Sequence, residues 1–87
     1  MAHVYILQSE RDHRYYIGST TDIHKRVKDH NAGKVHSTKR LGALELVFLQ
    51  EYPDINQAHK IEIKLKKLKR RDYIEKIIAE GMIRMNV

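Results

Sequence analysis

The chain has 87 residues, with 17 Lys and Arg against 11 Asp and Glu, a formal charge of +6 and no cysteine. The length suits one domain over residues 1–87 with a modest core, and the missing thiols exclude disulfides, thiolate chemistry and Cys-based zinc sites. The basic balance points to a polyanionic partner, nucleic acid ahead of an anionic membrane surface, because no apolar run approaches the ~18 residues of a spanning helix.

The start, Met1-Ala2-His3-Val4-Tyr5, has neither a basic n-region nor a long apolar run, so no secretory signal is visible and the chain reads as cytoplasmic. Residues 3–8 are rich in β-branched and aromatic types and predict a strand; residues 14–18 predict a second. Ser9-Glu10-Arg11-Asp12 between them suits a hairpin built around a type I turn. A symmetric hairpin would set Tyr5 directly across from Tyr16, with both hydroxyls on one face. Tyr15 then points to the other face, into packing. Ser19-Thr20-Thr21-Asp22 offers N-caps for a helix over 22–31, with Ile23 and Val27 as its buried stripe and Asn31-Ala32-Gly33 as its stop. Arg26 and His30, four apart, share a face of that helix. Residues 34–42 form a basic loop carrying Lys34, His36, Lys39 and Arg40.

Leu44 to Tyr52 predicts a third strand. Leu44, Leu46 and Phe48 fall on one face and Val47 and Leu49 on the other, the pattern of a central strand covered from both sides. Asp54 with Gln57 resembles a capping box opening a long helix over 54–70, whose buried stripe is Ala58, Ile61, Leu65 and Leu68. Asp72 with Glu75 opens another, with Ile74, Ile77 and Ile78 apolar and Gly81 at its end. The order strand, strand, helix, strand, helix, helix predicts an α+β domain: a three-stranded antiparallel sheet flanked by helices.

Taken singly, the polar residues have plain readings. Tyrosine favours strands whatever it does there, and Glu62 four residues before Lys66 makes an ordinary helix ion pair. His13 and His59 read as surface residues. His24, His30 and His36, six apart, match no standard zinc spacing. Ser19, Thr20 and Thr21 read as caps rather than nucleophiles, since no Ser-His-acid arrangement is apparent. From Lys60 to Arg71, seven basic residues in twelve positions surround the single acid Glu62, a density suited to a phosphate backbone.

The ordered set is more informative than its members. Val4-Tyr5, then Tyr15-Tyr16-Ile17-Gly18-Ser19-Thr20-Thr21-Asp22, then Arg26-Val27-Lys28-Asp29-His30-Asn31-Ala32-Gly33, then Ala58 to Glu62 with Lys66, resembles the GIY-YIG nuclease domain over nearly the whole chain. It is most similar to the small stand-alone members. The resemblance implies the GIY-YIG fold and metal-dependent hydrolysis of phosphodiester bonds in nucleic acid, DNA more than RNA. It implies catalytic roles for Tyr5, Tyr16, Arg26 and His30, with Glu62 holding a single divalent ion, usually Mg2+. A hard ion that keeps most of its waters can manage with one carboxylate. Lys34, Lys39, Arg40, Lys66, Lys67, Lys69 and Arg70 are the expected nucleic-acid contacts, and a monomer is expected. Two positions depart from the family: His3 stands where the first motif has glycine, and no asparagine follows Glu62 at the family's distance. Two other readings stay open: a module of the same fold that binds nucleic acid without cutting it, and an adaptor whose basic helix meets an acidic protein.

Overall fold

The structure, a computed structural model, describes residues 1–32 and 43–84. The expected Lys34, Lys39 and Arg40 contacts, together with Gly33 and His36, lie outside the described residues. The elements run β1 (Ala2–Ser9), β2 (Tyr15–Thr20), α1 (Ile23–Asn31), β3 (Leu44–Tyr52), α2 (Ile55–Leu68) and α3 (Arg71–Glu80). This is the expected α+β order, and the sheet is antiparallel throughout with strand order β2-β1-β3.

The central strand is β1, not β3: it pairs with both other strands and carries an unbroken buried run from Val4 to Leu7. Ala2, Val4 and Ile6 close one face and Tyr5 and Leu7 the other, the continuous apolar run that a doubly covered strand requires. Over the first face lie α2 and α3, contributing Ala58, Ile61, Leu65, Ile74 and Ile77 to the main core. The second face packs Tyr5, Leu7 and Leu44 against Tyr16 and the Ile23 and Val27 stripe of α1. Its position is pinned by Asn31, whose side chain accepts from the Leu44 amide at 2.7 Å and donates to the Leu44 carbonyl at 3.2 Å.

A bulge corrects the expected faces of β3. Phe48 pairs with Ile6 and Leu46 with Leu7, so β3 carries one extra residue at Val47. An inserted residue inverts the alternation that follows it. Leu44 therefore belongs to the second cluster and Phe48 to the main core, while Leu46 and Leu49 are left exposed at 37% and 40%.

The hairpin register also differs from the symmetric expectation. Tyr5 lies opposite Gly18, and Tyr16 opposite Leu7. The cause is a longer connection: the Ser9 amide donates to the Arg14 carbonyl at 2.9 Å, and His13 takes a left-handed φ of 60° to close the turn. A shift of two residues preserves side-chain parity, so Tyr5 and Tyr16 still share a face.

The helix signals fare unevenly. Asp22 caps α1 by accepting from the Lys25 amide, and Asp54 caps α2 by accepting from Gln57 at 2.9 Å. Helix α2 stops at Leu68, because Lys69 turns left-handed, and Leu68 is 39% exposed instead of completing the stripe. Asp72 does not cap α3. Arg70 occupies that position, and Asp72 sits in the first turn, where a negative charge suits the helix dipole and pairs with Arg70 at 2.8 Å. Among the described residues no helix is long and apolar enough to cross a membrane.

Candidate active site

Strand parity puts Tyr5 on the α1 side of the sheet, facing the one residue in β2 without a side chain. A Cβ built on Gly18 would lie 2.8 Å from Tyr5 Cε2 and closer still to Cζ and the hydroxyl, so the phenol ring occupies the space a side chain would need. Glycine is required here by close approach, with no special backbone dihedral involved. From that seat the Tyr5 hydroxyl reaches His30 Nε2 at 3.2 Å, and the two rings meet edge to face at 6.0 Å. Both groups are buried.

Burial sets their protonation. It raises the Tyr5 phenol above its ordinary value, opposed by the Arg26 charge and reinforced by Glu62. It lowers the His30 imidazole, with Arg26 acting in the same direction and Asp29 against. Near neutral pH the pair is thus a protonated phenol beside a neutral imidazole. In the tautomer with Nδ1 protonated, the phenol donates to Nε2 and its oxygen retains lone pairs for a further partner.

Across the β2 edge, Ser19 faces the other way, toward α2. It donates to Glu62 Oε1 at 2.5 Å, a charge-assisted bond. Lys66 Nζ donates to Oε2 at 2.6 Å, and His59 Nδ1 lies 3.4 Å from Oε1. Burial would raise the Glu62 carboxyl, but the bonds from Lys66 and Ser19, the Lys66 charge and His59 outweigh it and hold it below the usual carboxylate range. Glu62 is consequently an ionised, 9% exposed carboxylate.

These two half-sites open on one cleft of about 530 Å³, bordered by Tyr5, Gly18, Ser19, Arg26, His30, His59, Glu62 and Lys66. Four of the five residues implicated from the sequence therefore meet. Tyr16 does not line this cleft. It lines an adjoining groove of about 580 Å³, which shares Tyr5, Ile17, His30 and Lys66 with the first and continues past Lys69, Arg70 and Arg71. Lys67 borders neither. Tyr15, on the opposite face as expected, carries the Arg71 guanidinium 4.7 Å above its ring. Sequence reasoning missed Ser19 and His59 as site residues. Alternation along β2 marked Ser19 as facing α2 once Gly18 was set under Tyr5, and His59 stands three residues before Glu62, one turn away.

Among the described residues no three His, Asp or Glu side chains gather at one point. An ion at this cleft would have Glu62 and water as its donors, which suits a hard, largely hydrated cation. The carboxylate already carries one positive charge, the Lys66 ammonium, so cation binding is within its chemistry.

The buried imidazole has a consequence for stability. Because the folded pKa of His30 is lowered, the unfolded chain binds more protons below about pH 6.5, and stability falls as pH drops below that value toward the folded pKa. Glu62, also lowered, adds a second loss only below about pH 4.5. Melting temperature measured from pH 7.5 to 4 should decline in these two stages, with the first flattened in His30→Gln.

A family described as the GIY-YIG catalytic domain matches residues 1–76. The UPF0213 protein YazA of Bacillus subtilis is 38% identical over 77 residues, spanning 84% of this chain and 78% of the relative. A UPF0213 protein of Streptococcus pneumoniae is 34% identical over 84 residues, spanning 95% and 83%. The solution NMR structure of the UPF0213 protein BH0048 from Bacillus halodurans is similar with a TM-score of 0.57 at 34% identity, over 93% of this chain and 87% of that one.

Proposed function

The chain belongs to the GIY-YIG catalytic-domain family, a family of nuclease type that generally uses divalent ions, and from that premise we propose that it is a Mg2+-dependent endonuclease hydrolysing phosphodiester bonds in nucleic acid, with DNA favoured over RNA. It acts as a single domain and a monomer, in the cytoplasm. Tyr5, Tyr16, Arg26 and His30 are its catalytic groups and Glu62 its metal ligand.

One observation carries this reading: the Tyr5–His30 hydrogen bond lies in the same cleft as the Arg26 side chain and an ionised Glu62. A divalent ion, when bound, supplies Lewis-acid polarisation of the phosphate. The chain's own residues do the rest. Arg26, exposed on α1, offers a planar fork of donors to the phosphoryl oxygens as charge builds on them. The attacking water gives a proton to the Tyr5 oxygen while Tyr5 passes its own to His30 Nε2, so the buried phenol need never carry a full negative charge. Tyr16, half-buried and lining the neighbouring groove, contacts the polynucleotide beside the scissile phosphate. Ser19 and His59 hold the Glu62 carboxylate in one orientation.

Cleavage of plasmid or oligonucleotide DNA by the purified chain tests the assignment, with RNA run in parallel. Mg2+-dependent nicking that survives in both Tyr5→Phe and Glu62→Ala would sink it. Retention on nucleic acid at low salt with no cleavage at all would leave a non-cutting module of the same fold. The groove also makes a distinction among the basic residues. Lys69 lines it and Lys67 does not, so Lys69→Ala should lower the slope of log K against log salt by about one, and Lys67→Ala should leave it nearly unchanged.

A further inference from the structure

Glu62 and Lys66 differ sharply in exposure, yet they form a close ion pair at the mouth of the cleft. The Glu62 side chain is 12% exposed and that of Lys66 55%, with Nζ on Oε2 at 2.6 Å. The two carboxylate oxygens are unequally engaged. Oε1 takes the Ser19 hydroxyl and faces His59, while Oε2 receives the ammonium. A buried carboxylate without a counter-charge is costly, and a glutamate one turn N-terminal to a lysine is the favourable order for a helix pair. Lys66 also borders both the cleft and the Tyr16 groove, so its flexible stem can reach either.

We propose that Lys66 is an internal counter-cation that holds the divalent ion's place on Glu62 Oε2 and, when it yields that oxygen, presents its ammonium to the nucleic-acid phosphate. This rests on Glu62 being the metal ligand. The latch keeps the ion-free carboxylate neutralised and lowers the apparent affinity for a divalent cation, because the ion must displace a tethered competitor. A polyanion that draws Lys66 away relieves that competition. By reciprocity the ion then strengthens nucleic-acid binding by the same factor. The cleft thereby favours ion and substrate together over either alone.

The test is a titration of the full chain with Mn2+ alone, followed by electron paramagnetic resonance, on wild type and on Lys66→Met, Lys66→Arg and Glu62→Gln. Lys66→Met should bind Mn2+ about two- to fivefold more tightly, the range expected for removal of a partly exposed ion pair. Lys66→Arg, which keeps the charge, should remain near wild type, and Glu62→Gln should lose the site. In wild type the Lys66 side-chain resonances should move toward those of a free lysine as Mg2+ is added. Equal affinities for wild type and Lys66→Met, with binding lost in Glu62→Gln, would overturn the latch and leave the metal assignment intact. Binding that Glu62→Gln does not change would overturn both. Because Lys66 is an exposed position on α2 and methionine is a good helix former, circular dichroism should show both Lys66 variants folded.

Discussion

Tyr5→Phe should reduce cleavage by about a hundred- to ten-thousandfold while leaving the chain folded. The substitution deletes one oxygen and nothing else. The ring still fills its seat above Gly18 and still packs with Leu7 and Leu44, so no cavity opens. What is lost is the 3.2 Å hydrogen bond to His30 Nε2, worth about 1 kcal/mol of stability, and with it the path by which a proton crosses from the cleft to a neutral imidazole. The pH–rate profile separates this role from a packing role. In wild type the limb set by His30 lies below the ordinary imidazole range, because burial and Arg26 lower its pKa. In Tyr5→Phe that limb should vanish from whatever activity remains. A variant that cleaves at the wild-type rate with the same profile would remove Tyr5 from the mechanism.

Gly18→Ala should damage both fold and activity, although it adds only a methyl group. The Cβ would enter the Tyr5 ring, and Tyr5, 4% exposed between the sheet and α1, has little free space to move into. Either β2 shifts away from β1 or the phenol swings off His30. Overpacking of this kind costs about 1–3 kcal/mol, and any rotation of the ring breaks the Tyr5–His30 bond. Urea unfolding should therefore show a lowered midpoint, and cleavage should fall at least as far as in Tyr5→Phe. The double variant Gly18→Ala with Tyr5→Leu makes the origin visible. A smaller side chain at position 5 should recover part of the stability and none of the activity. Wild-type stability in Gly18→Ala alone would mean that the ring is not seated as described.

Much of this was legible in the residues. The periods of two and 3.6 gave the order of strands and helices, and the apolar run from Leu44 to Tyr52 marked β3 at its observed bounds. Asp22 and Asp54 announced their helices, since an oxygen three residues ahead of a free amide has one obvious use. The motif phrases named the tyrosines, Arg26, His30 and Glu62. Two local signals failed because an immediate neighbour competed with them. Asp72 looked like a cap but pairs with Arg70. Leu68 completed a wheel but lies where Lys69 ends the helix.

What the sequence determined by itself was therefore chemistry in order along the chain, together with the parity that places Tyr5 and Tyr16 on one face. Parity survives a two-residue slip in register, so a mistaken hairpin still sent the tyrosines to the right side. Tertiary structure alone decided three other matters: that Tyr5 stands over Gly18, that the bulge at Val47 hands Phe48 to the main core, and that Ser19 reaches the Glu62 carboxylate. Each depends on contact between residues far apart in the chain, or on one uncounted residue in a strand. Such contacts are set by how whole elements pack, and no local period encodes them.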